Sequence, residues 1–305
     1  MNRHLLRLSV MGLGLTAASC AATKQSLQRL ASVEVAQSVK ENVREFSQCD
    51  RLKADISFQE EYDLGGAVAL SWVRKGGGLM LANTSEKQLH QYLNTVGRNL
   101  AAQSSRPTLR WTFGALQDPE TFNATSAPGG YVFLTRRLLQ DVDNEAQLAG
   151  VLAHEIAHIT LKHALHSYGG FRVKQCQVGA WTPDTPLLGE ALDKGSEWVI
   201  SHIAKGFDKD DEFAADALAL HLLVSAGYEP TEYTGFIGKI PESTGITSTH
   251  PKKPERLKRM VAVLEKAKTP SDGFSEWPTG MQGLVKPPLP PALTALKASS
   301  PPATK

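Results

Sequence analysis

Residues 148–165, LAGVLAHEIAHITLKHAL, set the hardest condition on any fold this chain adopts. Apolar positions surround His154, Glu155 and His158, among them Ala153, Ile156, Ala157 and Ile159. A helix that is hydrophobic all round is a buried one. An ionised group taken out of water without a partner costs several kcal/mol, so these three side chains need compensation. His154 and His158 are four residues apart. On a helix they project from one face, one turn apart, and can reach a single ion. Glu155 lies about 100° around from His154, where it can approach the open side of that ion without binding it. Zinc held by two imidazoles and a third protein ligand keeps one position for water. It lowers the pKa of that water to about 7, and a nearby carboxylate can take the proton. A metal with an adjacent base therefore meets the condition.

A third ligand is offered by a second helix, DDEFAADALALHLLVSAGYEP, which starts after Asp210 and stops at Gly227, with Pro230 beyond. Glu212 opens its EFAAD segment, and Asp216, one turn later, can accept the free ring N–H of a ligating histidine. Taken alone, Glu212 also fits a solvated acidic first turn beside Asp210 and Asp211, where carboxylates suit the helix dipole.

The rest of the chain frames this pair of helices. With 305 residues, 41% hydrophobic and 21% charged, it has the composition of a globular protein. A formal net charge of +2 gives no strong field for nucleic acid. The start, MNRHLLRLSVMGLGLTAASC, has two arginines, a short apolar run and then small residues, the pattern of a secretory signal over residues 1–19. The residues before Cys20 resemble a bacterial lipobox, which predicts lipidation of Cys20 and tethering to a membrane. Ala17 departs from the leucine most often found at its position. The plainer reading is an ordinary cleaved signal with a chance cysteine. Ala21 is not the aspartate that retains lipoproteins at the inner membrane, so the outer membrane is the expected one. No later stretch is apolar enough for long enough to cross a bilayer. Cys49 and Cys176 are either a disulfide closing a long loop or two free thiols.

Residues 21–48 read as helical. SEKQLHQYLNTVGRNLA places Leu89, Tyr92, Leu93, Val96 and Leu100 on one helical face. LRWTFGAL alternates Leu109, Trp111 and Phe113 as a strand. Pro128, Gly129 and Gly130 form a turn before a strand through Tyr131, Val132 and Phe133. The metal-motif helix is expected to begin at Asn144, a good N-cap, with Glu145 in its first turn. Ser167 to Gly206 looks irregular apart from a helix near EWVISHIAK, and its glycines and prolines suggest a lid. ERLKRMVAVLEKAK is a further helix with Leu257, Met260, Val261 and Leu264 on one face. After Thr269 eight of the 17 prolines follow, so residues 269–305 read as a largely disordered tail.

Four ordered segments then carry a resemblance. They are FNATSAPGGYVFLT, the helix over residues 146–163 (with Gln147 where the family pattern is acidic), EFAADALALHLLVSAGYEP, and STHPKKPERL. A looser likeness surrounds EEYDLGGAVA. Together they span roughly residues 50–268 and resemble the zinc metallopeptidase family that includes the CAAX prenyl endopeptidases, the heat-shock membrane protease HtpX, and periplasmic lipoproteins such as LoiP and BepA. The resemblance implies an α+β, mostly helical, gluzincin-type metalloprotease domain over residues 21–268, with a small antiparallel sheet beside the HExxH helix. It implies one Zn2+ per chain on His154, His158 and Glu212, with Glu155 as general base and Asp216 supporting a ligand. His250 would lie near the metal, as a displaceable fourth ligand or a donor to the oxyanion, and Arg256 would help hold that loop or the site. His163 and His166 read as surface or ligand-supporting residues. The prenyl endopeptidases and HtpX carry transmembrane helices that this sequence lacks, which argues against prenyl-protein processing. The activity implied is hydrolysis of unfolded or extended protein substrates, such as misfolded envelope proteins on the periplasmic side, with the strand at Tyr131–Leu134 holding the substrate by backbone pairing. The alternative is a non-catalytic zinc-containing lipoprotein that acts as an assembly factor or chaperone. The intact Glu155 favours the enzyme, because a purely structural site needs no base.

Overall fold

Helix α4 (Glu145–Thr160) is the axis about which the other elements pack, and its sequence explains why. Asn144 caps it by accepting a hydrogen bond from the Gln147 backbone N–H, Glu145 lies in its first turn, and every residue from Ala146 to Thr160 is buried. A computed structural model describes residues 48–53, 56–182, 185–240, 253–268 and 283–298. Before α4 come α1 (Phe58–Lys75), α2 (Thr84–Ala101), the strands β1 (Thr112–Leu116), β2 (Ala124–Ala127) and β3 (Tyr131–Thr135), and the single turn α3 (Arg136–Leu139). After it come α5 (His163–Gln177), α6 (Glu190–Lys205), α7 (Lys209–Ser225), α8 (Pro230–Lys239), α9 (Lys253–Lys268) and α10 (Pro291–Ala298). Helix α4 packs most extensively on α7, and also on α8, α2 and β2. Leu148, Leu152, Ile156, Leu220 and Leu223 interlock in the main core, while Leu64, Val68, Tyr168 and Val199 form a second cluster where α6 covers α1 and α5. No described helix is long and apolar enough to cross a membrane.

The fold is α+β and mostly helical, but its sheet is mixed rather than antiparallel. The order is β1-β3-β2, with β3 parallel to β1 and antiparallel to β2. The reason lies in the Pro128-Gly129-Gly130 turn. Gly129 and Gly130 adopt φ of 82° and 101°, which only glycine takes readily, and they fold β3 back into the gap between β1 and β2. Both edges of β3 are consequently filled, so Tyr131–Leu134 cannot accept an added strand. The outer strand on the other side of that hairpin is β2.

Three more expectations change. The motif helix does not run unbroken to His163: α4 ends at Thr160, and Lys162 takes a left-handed conformation (φ 61°, ψ 30°) before α5 begins. The segment from Ser167 to Gly206 is largely two helices, α5 and α6. Gly169 lets α5 pass close to the Lys53 carbonyl oxygen, from which a Cβ would stand 2.4 Å, and Phe171 stacks on Trp198 with ring centroids 5.0 Å apart. Part of the stretch read as a disordered tail packs on the fold: within residues 283–298, Val285 bridges to Tyr228 and α10 buries Leu293 and Leu296 in the core. On α9, Met260 and Leu264 are buried but Val261 faces solvent.

Candidate metal centre

Helices α4 and α7 lie side by side, and their facing surfaces bring His154, His158 and Glu212 together. One nitrogen or oxygen from each lies within 4.8 Å of the others. The two Nε2 atoms are 3.1 Å apart. Glu212 Oε2 stands 3.5 Å from His154 Nε2, and Glu212 Oε1 stands 3.6 Å from His158 Nε2. Donors sharing one tetrahedral divalent ion at 2.0–2.2 Å sit roughly 3.3–3.6 Å from each other, so this donor set fits such an ion. Glu212 is fully buried. A carboxylate in that position demands positive charge close by. The same demand acts on His154: burial alone would lower its pKa, but hydrogen bonds with Asp216 and Glu212 lift it to about 9. A divalent cation answers this field as a proton does.

Each ring has a second contact behind it. His154 Nδ1 lies 3.0 Å from Asp216 Oδ1. Arg256 on α9 grips Asp216 with two hydrogen bonds, Nε to Oδ2 at 2.8 Å and Nη2 to Oδ1 at 2.7 Å, and the Tyr233 hydroxyl donates to Asp216 Oδ1 at 3.2 Å. Burial would raise the Asp216 pKa, but the Arg256 guanidinium overcomes this and holds the carboxyl well below the usual carboxylate range. His158 Nδ1 lies 2.8 Å from His163 Nδ1, and Phe207 stacks on the His158 ring at 4.5 Å. His163 is itself buried, with its Nε2 3.6 Å from Asp211 Oδ1, and burial pushes its imidazole below the ordinary histidine value.

The centre opens into a cleft of about 360 Å³. Glu155, His158 and Glu212 line it, together with Ala124 and Thr125 of β2 and with Ile203 and Phe207. Of the residues singled out in the sequence, His154, His158, Glu212, Glu155, Asp216 and Arg256 all gather here. His250 and Cys20 lie outside the described residues. Cys49 and Cys176 are joined in a disulfide away from the centre, in a small cluster with Leu52. Sequence reasoning left the contacts of His163, Asp211, Tyr233 and Phe207 unassigned. For His163 the signal is its position three residues past the end of α4, but only the left-handed Lys162 reveals that it turns back beneath His158.

Comparison with known proteins agrees with this geometry. A family model described as peptidase family M48 matches residues 87–263, more than half of the sequence. The chain belongs to peptidase family M48. The mitochondrial metalloendopeptidase OMA1 of Schizosaccharomyces pombe is 28% identical over 199 residues, covering 61% of this chain and 58% of that protein. The beta-barrel assembly-enhancing protease of Yersinia pestis is 28% identical over 185 residues, covering 55% of this chain and 37% of its own. Its counterpart in Escherichia coli K12 is 26% identical over 183 residues, with the same coverage. The matched region thus spans between about a third and three-fifths of these relatives. The M48 match contains both α4 and α7, the two helices that bring the His-His-Glu group together.

Proposed function

We propose that this chain is a zinc-dependent endopeptidase that cleaves unfolded or extended protein segments in the bacterial cell envelope. The observation that carries the reading is Glu155: a carboxylate one residue from His154, lining the same cleft as His158 and Glu212. In this reading His154, His158 and Glu212 hold one Zn2+, and Asp216 fixes His154 by accepting its Nδ1–H, with Arg256 locking Asp216. Bound zinc supplies Lewis-acid polarisation of a carbonyl and acidification of water. Glu155 takes the proton of the attacking water and delivers it to the leaving amine nitrogen as the C–N bond breaks, leaving a free carboxylate and a free amine. His250, followed directly by Pro251 in the sequence, is proposed as the donor to the developing oxyanion or as a ligand that substrate displaces.

An extended substrate would dock along β2, the outer strand bordering the cleft, in place of the β3 edge expected from sequence. Backbone pairing is indifferent to side chains, which suits a protease of unfolded chains. The bacterial relatives named as beta-barrel assembly-enhancing proteases support an envelope role in protein quality control. We place the chain on the periplasmic side, with residues 1–19 removed, lipid on Cys20 holding it to the outer membrane, and the peptidase domain spanning residues 21–268 with the core contributions from 283–298 added.

Two measurements test this. Glu155→Gln should retain zinc, read as metal content, while casein cleavage falls by at least about 10²-fold; a Glu155→Gln protein that still cuts would sink the mechanism. Cys20→Ser should move the protein out of the membrane fraction or leave it unprocessed, and the wild type should incorporate labelled palmitate. A wild type without label would mean an ordinary cleaved signal.

A further inference from the structure

Two ligating histidines on one helix need their second nitrogens fixed, and the chain solves this differently for each. His154 faces the Asp216 carboxylate directly. At the corresponding nitrogen of His158, Nδ1, another imidazole stands 2.8 Å away, that of His163. We propose that His163 is a positioning residue for the metal centre, holding His158 in the tautomer and ring orientation that present Nε2 to the ion. The inference rests on the reading of His158 as a ligand.

The direction of the hydrogen bond follows from the geometry. His158 Nε2 faces His154 Nε2 at 3.1 Å and Glu212 Oε1 at 3.6 Å, so Nε2 is the ligating nitrogen and carries no proton. The His158 proton then resides on Nδ1 and donates to His163 Nδ1, which must offer a lone pair. The His163 proton is left on Nε2, which points toward Asp211 Oδ1 at 3.6 Å. One carboxylate in the first turn of α7 thus selects the tautomer of His163, and His163 selects that of His158. Rotation of the His158 ring is opposed independently by Phe207, which stacks on it with an interplanar angle of 22°. The backbone makes the arrangement possible: the left-handed Lys162 ends the run of α4 and brings His163 back beneath a residue only five positions earlier.

The test uses the full 305-residue chain. Zinc affinity is measured by competition with a chromophoric chelator, and the ligand field is read from the visible spectrum of the cobalt-substituted protein. Asparagine places its side-chain oxygen where histidine has Nδ1, whereas leucine fills similar space without an acceptor. His163→Asn should keep zinc affinity within about threefold of wild type, and His163→Leu should lose about 10- to 100-fold and shift the cobalt bands. A packing role alone would favour leucine over asparagine. Wild-type affinity in His163→Leu, or equal losses in both variants, would overturn the proposal. Should His163→Leu fail to fold, His163→Gln takes its place, since its acceptor lies one bond further out and should cost as much. His158→Ala is measured alongside. If it binds zinc as wild type does, the ligand assignment itself is wrong; if it alone loses zinc, only the role of His163 is.

Discussion

Asp216 has both carboxylate oxygens engaged, one shared among His154, Tyr233 and Arg256 and the other taken by Arg256, and neither residue of the Asp216–Arg256 pair is accessible to water. Removing one partner of a buried pair leaves the other charge uncompensated, which costs about 3–5 kcal/mol. Asp216→Ala should therefore lower the free energy of unfolding by that amount in urea titrations, and weaken metal binding about 10- to 100-fold through loss of the His154 contact. A variant with wild-type stability would show that Arg256 finds another partner. At this scale the sequence was most readable. The spacing of His154 and His158, and of Glu212 and Asp216, is a property of the helix itself, so side chains one turn apart had to share a face. Arg256 and Tyr233 come from helices far along the chain, and their meeting with Asp216 depends on packing that no local spacing encodes.

The elements themselves were legible where one physical rule dominates. The start of α4 followed from the Asn144 cap, and the end of α7 lies close to Gly227. Helix α5 was missed because it is covered by α1, α6 and the segment around Lys53, so its apolar residues follow no single stripe. Strand order was also hidden: alternation marks a strand but does not say which neighbour slips between two others. The cap of α4 has a further support. Glu232 of α8 accepts hydrogen bonds from Asn144 Nδ2 at 2.7 Å and Gln147 Nε2 at 3.1 Å, with Lys286 Nζ at 3.2 Å. The Asn144 bond leads the causes that hold the Glu232 pKa below the ordinary glutamate value. A depressed carboxylate stabilises the fold above its unfolded pKa of about 4.3, and that contribution disappears as pH falls through the folded value. Between pH 5 and pH 3 the wild type should lose stability more steeply than Glu232→Gln. Parallel curves from chemical denaturation would contradict this.

Across the whole molecule, the Cys49–Cys176 bond ties the segment preceding α1 to the end of α5 over a sequence separation of 127 residues. A loop of this order removes roughly 4–5 kcal/mol of entropy from the unfolded chain in the chain-entropy model. Cys176→Ser should accordingly lower stability by about 2–5 kcal/mol, and a reductant should then have no further effect on its melting temperature, while it lowers that of the wild type. A variant as stable as wild type under oxidising conditions would mean the bond contributes nothing. The sequence left this pairing open because two distant cysteines carry no geometry. It misread residues 283–298 for a related reason: proline content reports what a segment cannot form alone, not what surface it can lie against. That segment also supplies something to the centre of the fold. The Pro287 carbonyl accepts the backbone N–H of Glu145, the first residue of α4, and Glu229 and Gly227 pair with Val285 in the same region. Translation delivers the HExxH motif well before Pro287, so a chain released from a stalled ribosome carries His154, Glu155 and His158 on a helix whose first backbone N–H lacks its partner.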